Sequence, residues 1–217
     1  ATAGMTALTI NGLGGDDTLT IDASGGNPFP STRGITFDGG TEADSITLQG
    51  GSFSSGTSTP SGQRTGVLFY GGGTTGAATL NYANLETITD TNVVNTYIIN
   101  GTAAANTINL VTGPGGTVQV NSGPTPAFGL INFSNKTNVT VNALAGADTV
   151  NIVTRIGISV LTVSGNEGDD RLDAGSTIAA VGEIRLNGNE NNDTLIGGGD
   201  DDTFDGGSGD DIFLGNG

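Results

Sequence analysis

The chain has no cysteine, no histidine and no tryptophan, and only six basic residues among 217. Without cysteine there is no disulfide and no thiolate metal site. Without histidine, the commonest general base and the commonest transition-metal ligand are missing. The cations Arg33, Arg64, Lys136, Arg155, Arg171 and Arg185 are scattered along the chain. Phosphate recognition needs clustered Lys and Arg, so nucleic acid is not an expected partner. An anionic membrane surface is disfavoured for the same reason. No apolar run is long enough to span a bilayer, so membrane insertion is not expected either. Aromatic residues make up 5% and apolar residues 34%, and no helix-period stretch of Ala, Leu, Glu and Lys occurs.

What the chain has in quantity is glycine, with 39 residues, and acid, with 22 residues and a net charge of −16. Its apolar residues come in short alternating runs such as Leu8-Thr9-Ile10, Val139-Thr140-Val141 and Val150-Asn151-Ile152. Alternation of β-branched and polar residues reads as strand. The regular spacing of these runs argues against disorder, which low hydrophobicity alone would suggest.

One segment recurs six times: an apolar-x-apolar run, a short polar residue, a glycine-and-acid turn, then a second apolar-x-apolar run. The turns join Asn11 to Asp17, Asp38 to Asp44, Asn100 to Asn106, Asn142 to Asp148, Ser164 to Asp170 and Asn187 to Asp193, a separation of 6 each time. The acid positions then continue at Asp202 and Asp211, with steps of 27, 62, 42, 22, 23, 9 and 9 along the series. The steps of 22 to 27 suit one coil of stacked short strands, and two steps of 9 make an 18-residue coil. The 42 and 62 read as multiples with degenerate coils between, for which Leu80–Tyr82, Leu85–Thr89, Val118–Val120 and Leu130–Phe133 are candidates. The segments 25–31, 50–66, 71–76 and 113–126, rich in Gly, Ser, Thr and Pro, are expected as loops.

The expected fold is therefore all-β, a right-handed parallel β-helix or β-solenoid with stacked coils of about 18–27 residues. It forms a single continuous domain over 1–217, with longer irregular coils over 1–160 and tighter acidic coils over 161–217. The column Asn11, Asp38, Asn100, Asn142, Ser164 and Asn187 should stack as a polar ladder at one corner. Stacking also sets Asp148, Asp170, Asp193 and Asp211 one above another, at a strand spacing of about 4.8 Å. Carboxylates that close repel. A hard cation relieves the repulsion, and Ca²⁺ takes both carboxylates and the backbone carbonyls that glycine turns expose. A solvated acidic edge is the alternative. The expected calcium ligands are Asp148, Asp169, Asp170, Asp193, Asp200, Asp202 and Asp211, the turn glycines Gly188, Gly197 and Gly206, and in the first copies Asp17 and Asp44.

Residues 188–214 resemble the calcium-binding nonapeptide repeats of the RTX (hemolysin-type) family, G-G-x-G-x-D-x-U-x. Residues 206–214 match every position, 197–205 depart at the fourth with Asp200, and 188–196 depart at the second and fourth with Asn189 and Asn191. Residues 165–173 are a further near match, whereas upstream Glu42, Ala104 and Asn106 replace the expected glycines and acid. The resemblance implies that sixth-position aspartates and turn carbonyls hold Ca²⁺ between coils of a β-roll. It also implies that Asp193 and Asp211 share one edge with Asp202 on the opposite one. The upstream coils resemble the longer-coil solenoids of large bacterial surface proteins.

These readings converge on a non-enzymatic structural module, located outside a bacterial cell or on its surface, in a fibre, surface layer or large adhesin. The segment Gly215-Asn216-Gly217 opens a further unit, so the stack is expected to continue, through more coils or head to tail with another copy. A cell-surface or matrix polysaccharide is a further expected partner. The alternatives are a calcium-folding secretion module of an RTX-type exoprotein and a carbohydrate-active β-helix enzyme. For the enzyme, Arg171 beside Asp169 and Asp170 is the one cation placed to act, and its expected role is to neutralise the acidic edge.

Overall fold

The computed structural model describes residues 5–29, 34–123, 128–176, 182–199 and 201–215. Over these residues the chain is all-β, with one turn of 3-10 helix at Pro114–Gly116. The first ten strands are β1 (Leu8–Asn11), β2 (Thr18–Asp22), β3 (Ile35–Asp38), β4 (Ser45–Gln49), β5 (Ser52–Gly62), β6 (Thr65–Gly71), β7 (Ala78–Ala83), β8 (Thr87–Asp90), β9 (Val93–Thr102) and β10 (Thr107–Thr112). The next ten are β11 (Val118–Asn121), β12 (Leu130–Phe133), β13 (Lys136–Ala145), β14 (Thr149–Ile152), β15 (Val160–Glu167), β16 (Arg171–Asp173), β17 (Glu183–Glu190), β18 (Thr194–Ile196), β19 (Asp202–Ser208) and β20 (Ile212–Leu214).

The strands assemble into two ten-stranded sheets, mostly parallel. The first runs β1-β3-β7-β6-β5-β9-β13-β15-β17-β19 and the second β2-β4-β8-β12-β11-β10-β14-β16-β18-β20. Away from two excursions, successive strands alternate between the sheets. The register keeps like residues in columns: Ile46 lies between Leu19 and Ile88, Leu172 between Val150 and Leu195, and Val141 between Ile99 and Val163. The period of two sends these residues to one face and the intervening Thr and Asn to the other. In β15, for instance, Leu161 and Val163 are buried while Thr162 and Ser164 are partly exposed. Buried apolar side chains of both sheets form a single cluster, from Ile21 to Leu195. Burial at roughly 25 cal/mol per Å² is the main force holding the two sheets.

The two excursions correct the sequence reading. The segment 50–66, expected as a loop, contains β5, which pairs with β6 as an antiparallel hairpin set between β7 and β9. A run of Ser, Thr and Gly hid the strand, yet its buried side carries Phe53 and Ser58, and Phe53 stacks on Tyr70 of β6 at 4.6 Å. Likewise 113–126 includes β11, antiparallel to both β10 and β12. The step of 42 from Asn106 to Asp148 is thus not a multiple of a coil, because β10 pairs directly with β14. The chain turns back through β11 and β12 before resuming at β13. Of the degenerate-coil candidates, Leu80–Tyr82 lies in β7 and pairs in parallel with β3, while the strand after Leu85 is β8, parallel to β4. Segments 25–29 and 72–76 are turns and loop as expected.

Candidate functional site

Each acidic turn carries the chain from a strand of the first sheet into one of the second. At its second position φ is positive in six copies: Leu13 (78°), Gly40 (100°), Leu144 (82°), Asn166 (80°), Asn189 (84°) and Gly207 (89°). The fourth position repeats this at Gly15 (106°), Glu42 (83°), Gly146 (111°), Gly168 (128°), Asn191 (79°) and Gly209 (138°). The turn therefore asks for glycine twice, and Asn189 and Asn191 are the side chains that best tolerate that region. The copy at 101–106 lacks both positive values, and there Asn106 folds back, its Oδ1 accepting the Thr102 N–H at 3.0 Å.

The sixth-position acids form a hydrogen-bonded ladder. The backbone N–H of each donates to Oδ1 of the acid in the next rung: Asp17 to Asp44 (2.9 Å), Asp148 to Asp170 (2.7 Å), Asp170 to Asp193 (2.8 Å) and Asp193 to Asp211 (2.9 Å). Asn106 N–H joins it by donating to Asp148 at 2.5 Å, and Asp44 N–H donates to Glu86 Oε2 at 2.6 Å. Glu86 is a rung that the fixed separation of 6 missed. Its turn is shorter, and the extra methylene of glutamate makes up the reach. A second column runs the opposite way at the fifth position. Asp16 Oδ1 accepts Ala43 N–H (3.0 Å), Asp169 Oδ1 accepts Asn192 N–H (3.0 Å) and Asn192 Oδ1 accepts Asp210 N–H (2.8 Å).

The ladder acids are interior groups. Asp44, Asp148, Asp170 and Asp193 are 1 to 3% exposed, while Asp17 and Asp211 at the two edges are half-buried and Asp169 is exposed. Burial pushes the Asp148 carboxyl up to about 7 and that of Asp170 up to about 6, against the pull of the N–H each accepts; the charge on the neighbouring rung adds to the rise. Asp193 is raised for the same reasons. In Asp17, Asp44, Asp148, Asp170 and Asp193 the second oxygen, Oδ2, is buried and has no hydrogen-bond partner among the described residues.

In Asp17, Asp44, Asp170 and Asp193 that Oδ2 points at the glycine that opens its own turn, whereas the Asp148 turn opens on Ala143. A β-carbon built on Gly12 would stand 2.6 Å from Asp17 Oδ2, and one on Gly39 2.5 Å from Asp44 Oδ2. Gly165, Gly188 and Gly206 stand in the same relation to Asp170, Asp193 and Asp211, more closely still. A carbonyl from the next rung borders the same space: Gly188 O lies 2.9 Å from the β-carbon position of Gly165, and Gly206 O 2.6 Å from that of Gly188. An unpartnered carboxylate oxygen and a main-chain carbonyl thus meet where glycine leaves room, and both are ligand types that Ca²⁺ takes. Among the described residues no three acids gather on one point, so carbonyls and water would have to complete any such shell.

The remaining expected ligands divide as follows. Asp202 enters β19 at the opposite turn, where its Oδ2 accepts Gly198 N–H at 2.6 Å and crowds Gly197. Gly188, Gly197 and Gly206 are buried at the openings of their turns. Asp200 lies outside the described residues, as do Asn216 and Gly217. Arg171 does not neutralise the ladder: its Nη2 donates to Asp173 at 2.6 Å, two residues along its own strand. The corner column is present in part, with Asn142 donating to Asn100 at 3.0 Å and Asn187 to Ser164 at 3.4 Å.

One polar centre carries no sequence signal. Where the excursions enter, Lys136 and Asp90 form an ion pair at 3.2 Å with both side chains fully buried. Lys136 Nζ also donates to the carbonyls of Asp90 (3.2 Å), Asn92 (2.6 Å) and Ser134 (3.0 Å), and Tyr70 OH donates to Asp90 Oδ2 at 2.8 Å. Burial pulls the Lys136 ammonium below its usual range, opposed by Asp90. The centre is sealed, so it can hold the hairpin but cannot meet a substrate.

Comparison with known proteins returns no match: no family model, no curated protein and no solved structure aligns with this chain. Among the described residues, no helix is long and apolar enough to cross a membrane.

Proposed function

We propose that this chain is a non-enzymatic structural module, a calcium-stabilised right-handed β-solenoid of an extracellular fibre, surface layer or large adhesin of a bacterium. The two sheets are the walls of the solenoid, and each acidic turn is a corner. The observation that carries the reading is the column of buried Asp Oδ2 atoms without a hydrogen-bond partner among the described residues, those of Asp17, Asp44, Asp170 and Asp193 each facing a glycine cradle. A buried carboxylate must be protonated or paired. In the ionised state the residues placed to hold a cation are Asp170 with the Gly188 carbonyl, Asp193 with the Gly206 carbonyl, and Asp17 with the Gly39 carbonyl. The cation would supply positive charge between like charges, and no chemistry beyond that. The resemblance of 165–214 to RTX repeats supports the same assignment and an extracellular location, where calcium is plentiful. A cell-surface or matrix polysaccharide is a proposed partner of such a module. The engagement of the turn acids with backbone amides supports a structural role over a catalytic one.

Thermal unfolding at neutral pH in chelator, Ca²⁺ or Mg²⁺ tests the reading. A ligand at about a hundred times its Kd adds about 2.7 kcal/mol per site. For a chain of this length that raises Tm by roughly 5 to 10 °C. A Tm that does not move between chelator and saturating Ca²⁺ would sink the calcium assignment.

A further inference from the structure

The outer face of the first sheet is uncharged over its middle. In β7, β6, β5, β9 and β13 the only charged residue is Lys136, and its side chain is buried. None of the 22 acids of the chain falls in these five strands. Their registers set the outward residues in two rows that cross the strands. One row reads Thr79, Phe69, Thr57, Ile98 and Thr140. The other, two residues along, holds Asn81, Val67 and Thr59, then Asn100 and Asn142.

Two aromatic rings are exposed among the described residues. Phe213 lies on β20, at the side of the second sheet, whereas Phe69 lies mid-sheet with β7 and β5 paired on either side of its strand. Phe69 is 47% exposed and takes no part in the buried cluster. Its ring leans along β6 over Gly71, where a β-carbon would stand 3.5 Å from Phe69 Cε1. Glycine at 71 therefore leaves room for the ring to lie down on the sheet and turn a face outward. The polar groups of the second row are held in place: Asn100 Nδ2 donates to Thr59 Oγ1 at 3.1 Å, and Asn142 Nδ2 donates to Asn100 Oδ1 at 3.0 Å. Each of these amides has a second N–H for an outside acceptor.

We infer that this face binds an extended, uncharged polysaccharide of β-linked pyranose units, lying across the strands. The apolar C–H face of one sugar stacks on Phe69, the next units lie over Thr57, Ile98 and Thr140, and Asn100 and Asn142 reach their hydroxyls. Strands are spaced by about 4.8 Å, close to the length of one such unit, so successive sugars meet successive strands in the same way. Charge decides against an acidic glycan: the chain carries −16 and this face offers no exposed cation to offset it. A protein partner needs a larger apolar centre than one exposed ring. The inference gives a site to the polysaccharide partner proposed above and rests on that reading, without using the calcium ladder.

Depletion binding to microcrystalline cellulose and to β-chitin, with calorimetric titration of the matching soluble hexasaccharides, tests it on the wild type, Phe69→Ala and Thr47→Ala. Thr47 lies on the outer face of the second sheet and serves as the control. A melting curve checks the folding of each variant. The wild type should bind at least one of the two glycans and leave polygalacturonate unbound. Phe69→Ala should weaken binding by about tenfold, as the loss of one stacked ring does, and Thr47→Ala should bind as the wild type does. A Phe69→Ala variant that binds as well as the wild type overturns the inference, and so does a preference for polygalacturonate. A wild type that binds neither glycan while Ca²⁺ raises Tm rejects this site and leaves the calcium-stabilised module standing. Binding that persists while Ca²⁺ leaves Tm unchanged upholds the site and rejects the calcium assignment alone.

Discussion

Leu13 is the least comfortable residue of the acidic turns. It holds φ at 78° and is 77% exposed, so its side chain gains nothing from the core in return. An L residue in that region costs roughly 1 to 2 kcal/mol against glycine. Leu13→Gly should therefore stabilise the chain by about 1 kcal/mol in urea unfolding, with the m-value unchanged. Gly188 is the opposite case. Its φ is ordinary, but a β-carbon there would run into Asp193 Oδ2. Gly188→Ala should destabilise by about 1 to 3 kcal/mol, as overpacking does, and the Cm of the same titration reads it. At this scale the sequence was informative but incomplete. The repeated glycines marked the turns and the fixed separation marked the carboxylates, from Asp17 to Asp193. The backbone amide facing each carboxylate was hidden, because a side chain bonded to a neighbouring rung leaves no trace in local spacing.

Among the elements, the parallel strands were legible wherever β-branched residues alternated, as in β13 and β15. The hairpin β5–β6 was not. Its Ser, Thr and Gly residues pass for loop in one dimension, and Phe53 and Tyr70 define its buried side only once the strands are paired. Lys136 escaped for a related reason: a lone lysine in a polar run reads as surface, yet three carbonyls and Asp90 surround it. Removing one partner of a buried pair costs about 3 to 5 kcal/mol. Lys136→Met should lose that amount, measured by chemical unfolding, and adding Asp90→Asn should return part of it.

For the whole molecule, the buried ladder makes stability a function of pH. The Asp148 and Asp170 carboxyls stand at about 7 and about 6 when folded, against an ordinary value of 3.8. Between those values the folded chain holds protons that the unfolded chain has released, so stability falls as pH rises. The contribution is complete below about 4 and gone above about 7. In chelator, Tm should be higher at pH 5 than at pH 8, and a melting series across that range reads the slope. The two excursions act at the same scale. β6 and β5 enter the first sheet between β7 and β9, and β12 and β11 enter the second between β8 and β10. Each sheet gains two strands at the same level, and both finish with ten. Insertion lengths in the two sheets are therefore coupled. A graft or deletion made in one sheet alone would leave the two sheets with unequal strand counts, so any relative or redesign that keeps them matched must change both excursions together.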